Sequence, residues 1–382
     1  MRVYFDHAAT TPLCKEAIEE MTSLMENHYG NPSSSHSHGR MAKGIMEMSR
    51  KSIAKNLNCS PQEIYFTSGG TEADNMTLTC AVKEGVKNIL TCQSEHKAVL
   101  HTAQDLEKRG LVKVHYIKLT TNGHVDTVHL DDLLSGLDNC LVSLMHANNE
   151  IGNMIDLEEV GAICQKNNAL FHSDTVQTVG QYKIDLSLGM VDFISASAHK
   201  FNGPKGVGFI YIKSGIRFCP LIIGGGQERN LRGGTENILG IAAMAAALEV
   251  NMKINDIKRV YIKDLKDYFI SQLQENIEGI IFNGDYLGKS NYKVLSVSFP
   301  KTEASSMLLF NLDIRGISCS GGSACSSGAS APSHVMAAIN ANIELPTIRF
   351  SLGGNNTKDE IDYTIDQLKE LFLSNTIKTT HV

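Results

Sequence analysis

The stretch EIYFTSGGTEADN, Glu63 to Asn75, decides how this chain folds. Glu63 to Thr67 is rich in β-branched and aromatic residues, which suits a short strand. Ser68, Gly69 and Gly70 interrupt it, and Thr71 opens a helical pattern. The same succession recurs along the chain. Asn88 to Cys92 (NILTC) runs into QSEHKAVL, and Leu141 to Met145 (LVSLM) into HANNEIGN. Ala169 to His172 (ALFH) runs into SDTVQTVG, and Val191 to Ile194 (VDFI) into SASAHK. Strand, polar turn and helix in repetition predict an α/β fold with a mostly parallel central sheet. Gly206 to Lys213 (GVGFIYIK) reads as a further strand, and so little chain precedes it that antiparallel pairing is expected. Ligands of such sheets bind at the carboxyl ends of the strands, where every one of these polar clusters lies.

The chain has 382 residues, more than one ordinary core holds, so two domains are expected. After the apolar run Ile238 to Leu248 the pattern changes. An amphipathic helix over 255–275, a strand over 292–299, a helix near 303–310, a helix from Ser333, a strand around Arg349 and a helix from Lys358 read as a smaller α+β domain. The net charge of -6, without basic runs, argues against a broad nucleic-acid-binding face. The opening MRVYFDHAATTP reaches Asp6 and His7 before any apolar run, unlike a secretory signal. Ile238 to Leu248 is too short to span a bilayer and reads as a buried helix, so no membrane is expected. Nine cysteines lie scattered without a CxxC pair, which points to free thiols in a reducing, cytoplasmic setting.

The strand-end clusters carry the chemistry. In SGGTEADN the glycines allow close backbone approach and Thr71 can cap the helix, which together suit a phosphate; a plain turn would look the same. Lys200 follows a strand beside Ser197 and His199 and could form a Schiff base, although a single lysine is ordinarily a surface charge. Pyridoxal 5'-phosphate (PLP) needs such a lysine, a carboxylate for its ring nitrogen and a phosphate cradle. Asp174 could be that carboxylate, and Gln177 could reach the same ring. His96 could stack on the cofactor and move protons, or merely cap its helix. The Gly224 to Asn237 loop lacks the strand and acidic residue of a dinucleotide site, but Thr235 could serve a phosphate. His36 and His38 in SSSHSHGR could suggest a metal. One segment, SCSGGSACSSGASA over 318–331, puts Cys319 and Cys325 on a stretch with little side chain to bury.

Taken in order, SGGTE, EHKAV, NNEIG, DTVQ, SAHK, GGGQER with RGGTEN, SGGSACSSG and IRFSLG resemble the cysteine desulfurases of the NifS/IscS group, within the class V aminotransferases. The likeness runs from Phe5 to the C-terminal helix. It implies the aspartate aminotransferase-like fold (fold type I) of PLP-dependent transferases. Residues 13–251 would form the large PLP-binding domain, and 1–12 with 252–382 a small domain carrying the catalytic cysteine loop. It implies that Lys200 holds the cofactor, Asp174 pairs with its pyridine nitrogen, Gln177 bonds its phenolic oxygen and His96 stacks on its ring. Thr71, Ser197 and His199, with the backbone of Gly70, would bind its phosphate, joined by Thr235 across a homodimer. Asn148 and Arg349 would hold the substrate carboxylate, and no metal is implied. L-Cysteine would become L-alanine, with Lys200 taking the α-proton. Cys325 would attack the substrate sulfur as thiolate and carry it as a persulfide to an acceptor such as an iron–sulfur scaffold or a tRNA or cofactor thiolation relay. A loop rich in glycine and serine lets one thiol visit both places.

The rivals are a selenocysteine lyase, a transaminase with no need of Cys325, and a non-catalytic sulfur relay on the same fold. Cys319 departs from the family pattern and reads as a small residue at the loop base, with a disulfide to Cys325 or sulfur acceptance as the alternative. The tail SNTIKTTHV is shorter than in members that dock a scaffold there. SSSHSHGR resembles a family turn at the dimer interface.

Overall fold

The computed structural model describes residues 1–302, 304–321 and 333–373. Its centre is a seven-stranded sheet in the order Ile64–Thr67, Gly208–Ile212, Phe193–Ser197, Leu170–Asp174, Cys140–Ser143, Asn88–Thr91, Lys113–Tyr116. Gly208–Ile212 runs antiparallel to both its neighbours, and every other pairing is parallel. The strand–helix repeats dictate this outcome, because a crossover helix returns the chain to the end of the sheet from which the previous strand started. Lys113–Tyr116 is a strand that the sequence reading does not find. It lies at the edge of the sheet, and only Val114 in it is buried, so its apolar pattern is too thin to register.

Both faces of this sheet are covered. Ile64, Phe66, Val142, Phe171 and Phe209 pack into one core, and Ile89, Leu141, Phe193 and Ile210 into another. A separate core surrounds a four-stranded sheet ordered Ser320–Gly321, Thr347–Ser351, Val294–Ser298, Ile281–Phe282, with Phe5, Phe269 and Phe350 at its heart. The ring centroids of Phe269 and Phe350 are 4.9 Å apart, within the usual range for aromatic pairs. The N-terminus belongs to this side: Val3–Tyr4 pairs in parallel with Ile317–Ser318. Residues 8–10 then cross to the large sheet, where Thr11 donates to the His199 carbonyl at 2.9 Å.

The helices expected over 238–248 and 255–275 are one helix of 39 residues, Ile238–Asn276. The joining residues EVNMKI include neither Gly nor Pro, so nothing breaks the hydrogen-bond ladder. Its first half buries Ile241, Met244 and Leu248 in the large core, and its second half buries Ile262, Leu265 and Phe269 in the small one. As a single helix it is long and apolar enough to cross a membrane, but 56% of its most apolar window is buried inside the protein. That burial marks a core helix. The expected domain boundary at 251 falls within it.

Candidate active site

A cavity of about 560 Å³ opens at the carboxyl ends of the parallel strands. Each strand delivers its next residues to the wall. Ser68 to Thr71 follow Thr67, His96 follows the strand ending at Thr91, and Val176 and Gln177 follow Asp174. His199 and Lys200 follow Ser197. The helix Gly70–Lys83 points its first amides here. The approach requires glycine: a Cβ on Gly70 would lie 2.4 Å from Val176 Cγ2, and one on Gly208 would lie 2.3 Å from the Ala196 carbonyl oxygen. Free amides, Thr71, Ser197 and His199 surround this helix end and suit a phosphate. Lys200 Nζ donates to the carbonyls of Ala8 and Ala9, at 2.6 and 2.8 Å, so the N-terminal crossover orients it.

The opposite wall is acidic and dry. Asp174 is buried and accepts from the Val176 amide at 2.9 Å. Burial, with Asp74 close by, raises its pKa to about 6. Burial raises Asp74 to about 6 as well, and Glu95 also lies well above the usual carboxylate range. Behind them His172 bridges Ser143 at 2.8 Å and Ser195 at 3.0 Å, and burial lowers it to about 4, so it stays neutral. His96 does cap its helix, accepting the Ala98 N–H on Nδ1 at 3.1 Å, and its ring also lines the cavity. Ligand atoms of Asp74, His96 and Asp174 lie within 4.8 Å of one another. Asp74 Oδ1 and Gln177 Oε1 are buried without a hydrogen-bond partner among the described residues. A cluster short of positive charge, with orphaned acceptors, fits the protonated pyridine ring of PLP. The phosphate-suited helix end and Lys200 complete that donor set.

The third wall comes from the small sheet. Arg349, 3% exposed, lies in the strand Thr347–Ser351, pairs with Asp6 at 2.8 Å and donates to the Asn149 carbonyl at 2.9 Å. Its Nε has no partner among the described residues. Ser320 donates to Asp6 at 2.7 Å, so the start of SCSGGSACSSGASA is fastened beside this arginine. On the far side Ser333 donates to Glu150, whose pKa burial raises to about 7.

Of the expected residues, Gly70, Thr71, His96, Asp174, Gln177, Ser197, His199, Lys200 and Arg349 meet in this one cavity. Asn148 does not reach it. Its amide donates to the Ser94 carbonyl and accepts from the Glu150 and Ile151 amides, and its neighbour Asn149 lines the wall instead. Two adjacent asparagines in NNEIG cannot be told apart without the turn that aims them. Thr235 is exposed and outside the cavity of its own chain. Cys325 lies outside the described residues. Cys319 is half-buried, and desolvation raises its thiol to about 12, so it stays protonated. Glu150, Lys205 and His334 also line the cavity and were not singled out from sequence; Glu150 sits inside the quoted NNEIG, the one signal that pointed to it.

The comparisons agree with this geometry. The class V aminotransferase family model matches residues 3–364. A cysteine desulfurase IscS of Dictyoglomus turgidum is 43% identical over 376 residues, covering 97% of this chain and 94% of its own. One from Methanosarcina thermophila is 39% identical over 375 residues, covering 97% and 91%. A solved NifS-like protein superposes with a TM-score of 0.90 at 39% identity, covering 98% of this chain and 100% of its own. A structure described as SspA in complex with cysteine superposes at 0.80 with 28% identity, covering 93% and 100%. By sequence, fold and the residues gathered at its strand ends, this chain belongs to the class V aminotransferases, among the cysteine desulfurases of the NifS/IscS group.

Proposed function

We propose that this PLP-dependent cysteine desulfurase moves sulfur from L-cysteine onto Cys325 as a persulfide, using the cavity at the strand ends. One observation carries the reading. A single cavity gathers a lysine, a buried carboxylate and a phosphate-suited helix end, while Ser320 and Ser333, on either side of the segment bearing Cys325, are hydrogen-bonded at its wall. Cys325 stands four positions after Gly321 in the sequence, a length of chain that reaches ~14 Å at most.

PLP, once bound, supplies an electron sink that acidifies the Cα–H of the substrate. The residues of the chain do the rest. Thr71, Ser197, His199 and the Gly70 amide hold the phosphate, Asp174 keeps the ring nitrogen protonated, and Gln177 and His96 fix the ring. Arg349 takes the substrate carboxylate, with Asn149 beside it in place of Asn148. Lys200 Nζ removes the α-proton. Cys325 Sγ then attacks the substrate sulfur, the Cβ–S bond breaks, and alanine leaves. The balance is L-cysteine and thiol giving L-alanine and persulfide.

A homodimer completes the phosphate site through Thr235, which is exposed on a loop where Ile223 is 85% exposed. Light scattering tests it. A sulfur-acceptor protein, an iron–sulfur scaffold or a thiolation relay, takes the outer sulfur. The setting is the cytoplasm, a reading supported by eight described cysteines that are all free thiols.

The deciding experiment measures alanine and sulfide released from L-cysteine with reductant, for the parent and Cys325→Ala. Equal amounts of both products from the parent and neither from the variant are expected. Full activity in the variant would remove Cys325 as nucleophile.

A further inference from the structure

Lys200 also lines a second cavity, of about 620 Å³, and it is the one described residue common to both. This cavity lies between the large and small cores, roofed by the long helix Ile238–Asn276. Its described wall carries Lys15, Lys200, Lys258, Lys293 and His7, and no aspartate or glutamate.

Lys293 is the anomaly. It is 3% exposed, and its Nζ has no hydrogen bond or ion pair among the described residues. Burial, with Lys200, Lys258 and Arg349 nearby, holds its pKa well below the ordinary lysine value. Lys258 Nζ donates to Asn251 Oδ1 at 2.8 Å and Asn202 Oδ1 at 3.1 Å, both neutral amides, so no carboxylate offsets it either. His7 is buried against Gly353, where a Cβ would lie 2.4 Å from the imidazole ring. Lys293 and Lys258 both disfavour its protonation. Buried amines are ordinarily paired, because removing an ammonium from water is costly. The cavity mouth is apolar: Ile254, Ile257 and Tyr261 line it, and all three are exposed.

The geometry points to a binding site for a small organic carboxylate in this second cavity, with its anionic head on Lys293 and Lys258 and its apolar body against Ile254, Ile257 and Tyr261. The volume suits a ligand of that size. The substrate has no part in it, since Arg349 lines the other cavity. The anion supplies the counter-charge that this wall lacks.

The test titrates 4-fluorobenzoate into the PLP-loaded enzyme, followed by fluorine NMR, with L-alanine saturating the first cavity. The expected result is saturable binding to the parent, at least tenfold weaker binding to Lys293→Met, and no matching affinity for neutral 4-fluorobenzamide. The cofactor absorbance and melting temperature of the variant check its fold. Should Lys293→Met not accumulate, Lys258→Met carries the same expectation. No binding to the parent, equal affinity in parent and folded variant, or an amide as tight as the acid would each overturn the site.

Discussion

Replacing Asp174 by Asn should stabilise the cofactor-free protein at alkaline pH while weakening its hold on PLP. The carboxylate of Asp174 is buried, and Asp74 opposes its ionisation. An acid whose pKa rises on folding contributes stability in its protonated form. That contribution is complete below the unfolded pKa and lost as pH climbs through the folded one. Here the window runs from ~3.9, the unfolded reference, to about 6 in the fold. Two pKa units at 1.36 kcal/mol each make the ionised group a liability of ~3 kcal/mol at pH 8. Asparagine is isosteric, retains an oxygen for the Val176 N–H and has no charge to bury. Urea denaturation of parent and variant, both stripped of PLP, should therefore show a gain of ~2–3 kcal/mol at pH 8, shrinking below ~1 kcal/mol at pH 4. With PLP present the order reverses, because the ring nitrogen loses its counter-charge. The reasoning fails if the variant is no more stable than the parent at pH 8, or if the gain is the same at both pH values.

Two further outcomes follow from the geometry. Arg349→Lys keeps the charge but loses the fork that spans Asp6 and the Asn149 carbonyl; KM for cysteine should rise ~10- to 100-fold, the weight of one or two charged hydrogen bonds, and an unchanged KM would place the substrate carboxylate elsewhere. Glu228 is buried, accepts two bonds from Arg50 at 2.7 and 2.8 Å and another from the Phe66 amide, and anchors the loop bearing Thr235. Glu228→Ala removes the buried two-bond partner of Arg50 and leaves it Glu47 at 3.2 Å and the Ile64 carbonyl, so it should cost ~3 kcal/mol in urea unfolding; a loss below ~1 kcal/mol would mean that Glu47 alone offsets the buried charge.

Much of this protein is legible in short segments. EIYFTSGGTEADN announces its strand, turn and helix because apolar pattern and glycine act within a few residues; the expected cap by the Thr71 hydroxyl is not made, since the helix begins at Gly70 with Gly69 as its cap. The strand–helix repeats carry the parallel sheet, and the sheet carries the place of the site at its carboxyl ends. Lys200, Asp174, His96 and the Gly70 turn were legible for this reason: each lies at, or a few residues past, the carboxyl end of a strand.

Tertiary structure decided the rest, because it depends on groups far apart in sequence. Asp74 lies one hundred positions from Asp174, and only the sheet order brings the two carboxylates into one dry cluster that demands a cation. Asp6 meets Arg349 because the N-terminus joins the small domain. Asn149 replaces Asn148 at the wall through the local turn. Lys293 falls within the strand expected over 292–299, where nothing local marks it; that it is buried with no partner for its Nζ among the described residues is set by two cores closing around it. Hydrophobic periodicity and turn chemistry are local forces that a single sequence displays, whereas desolvation and charge pairing are sums over neighbours that exist only once the chain has folded.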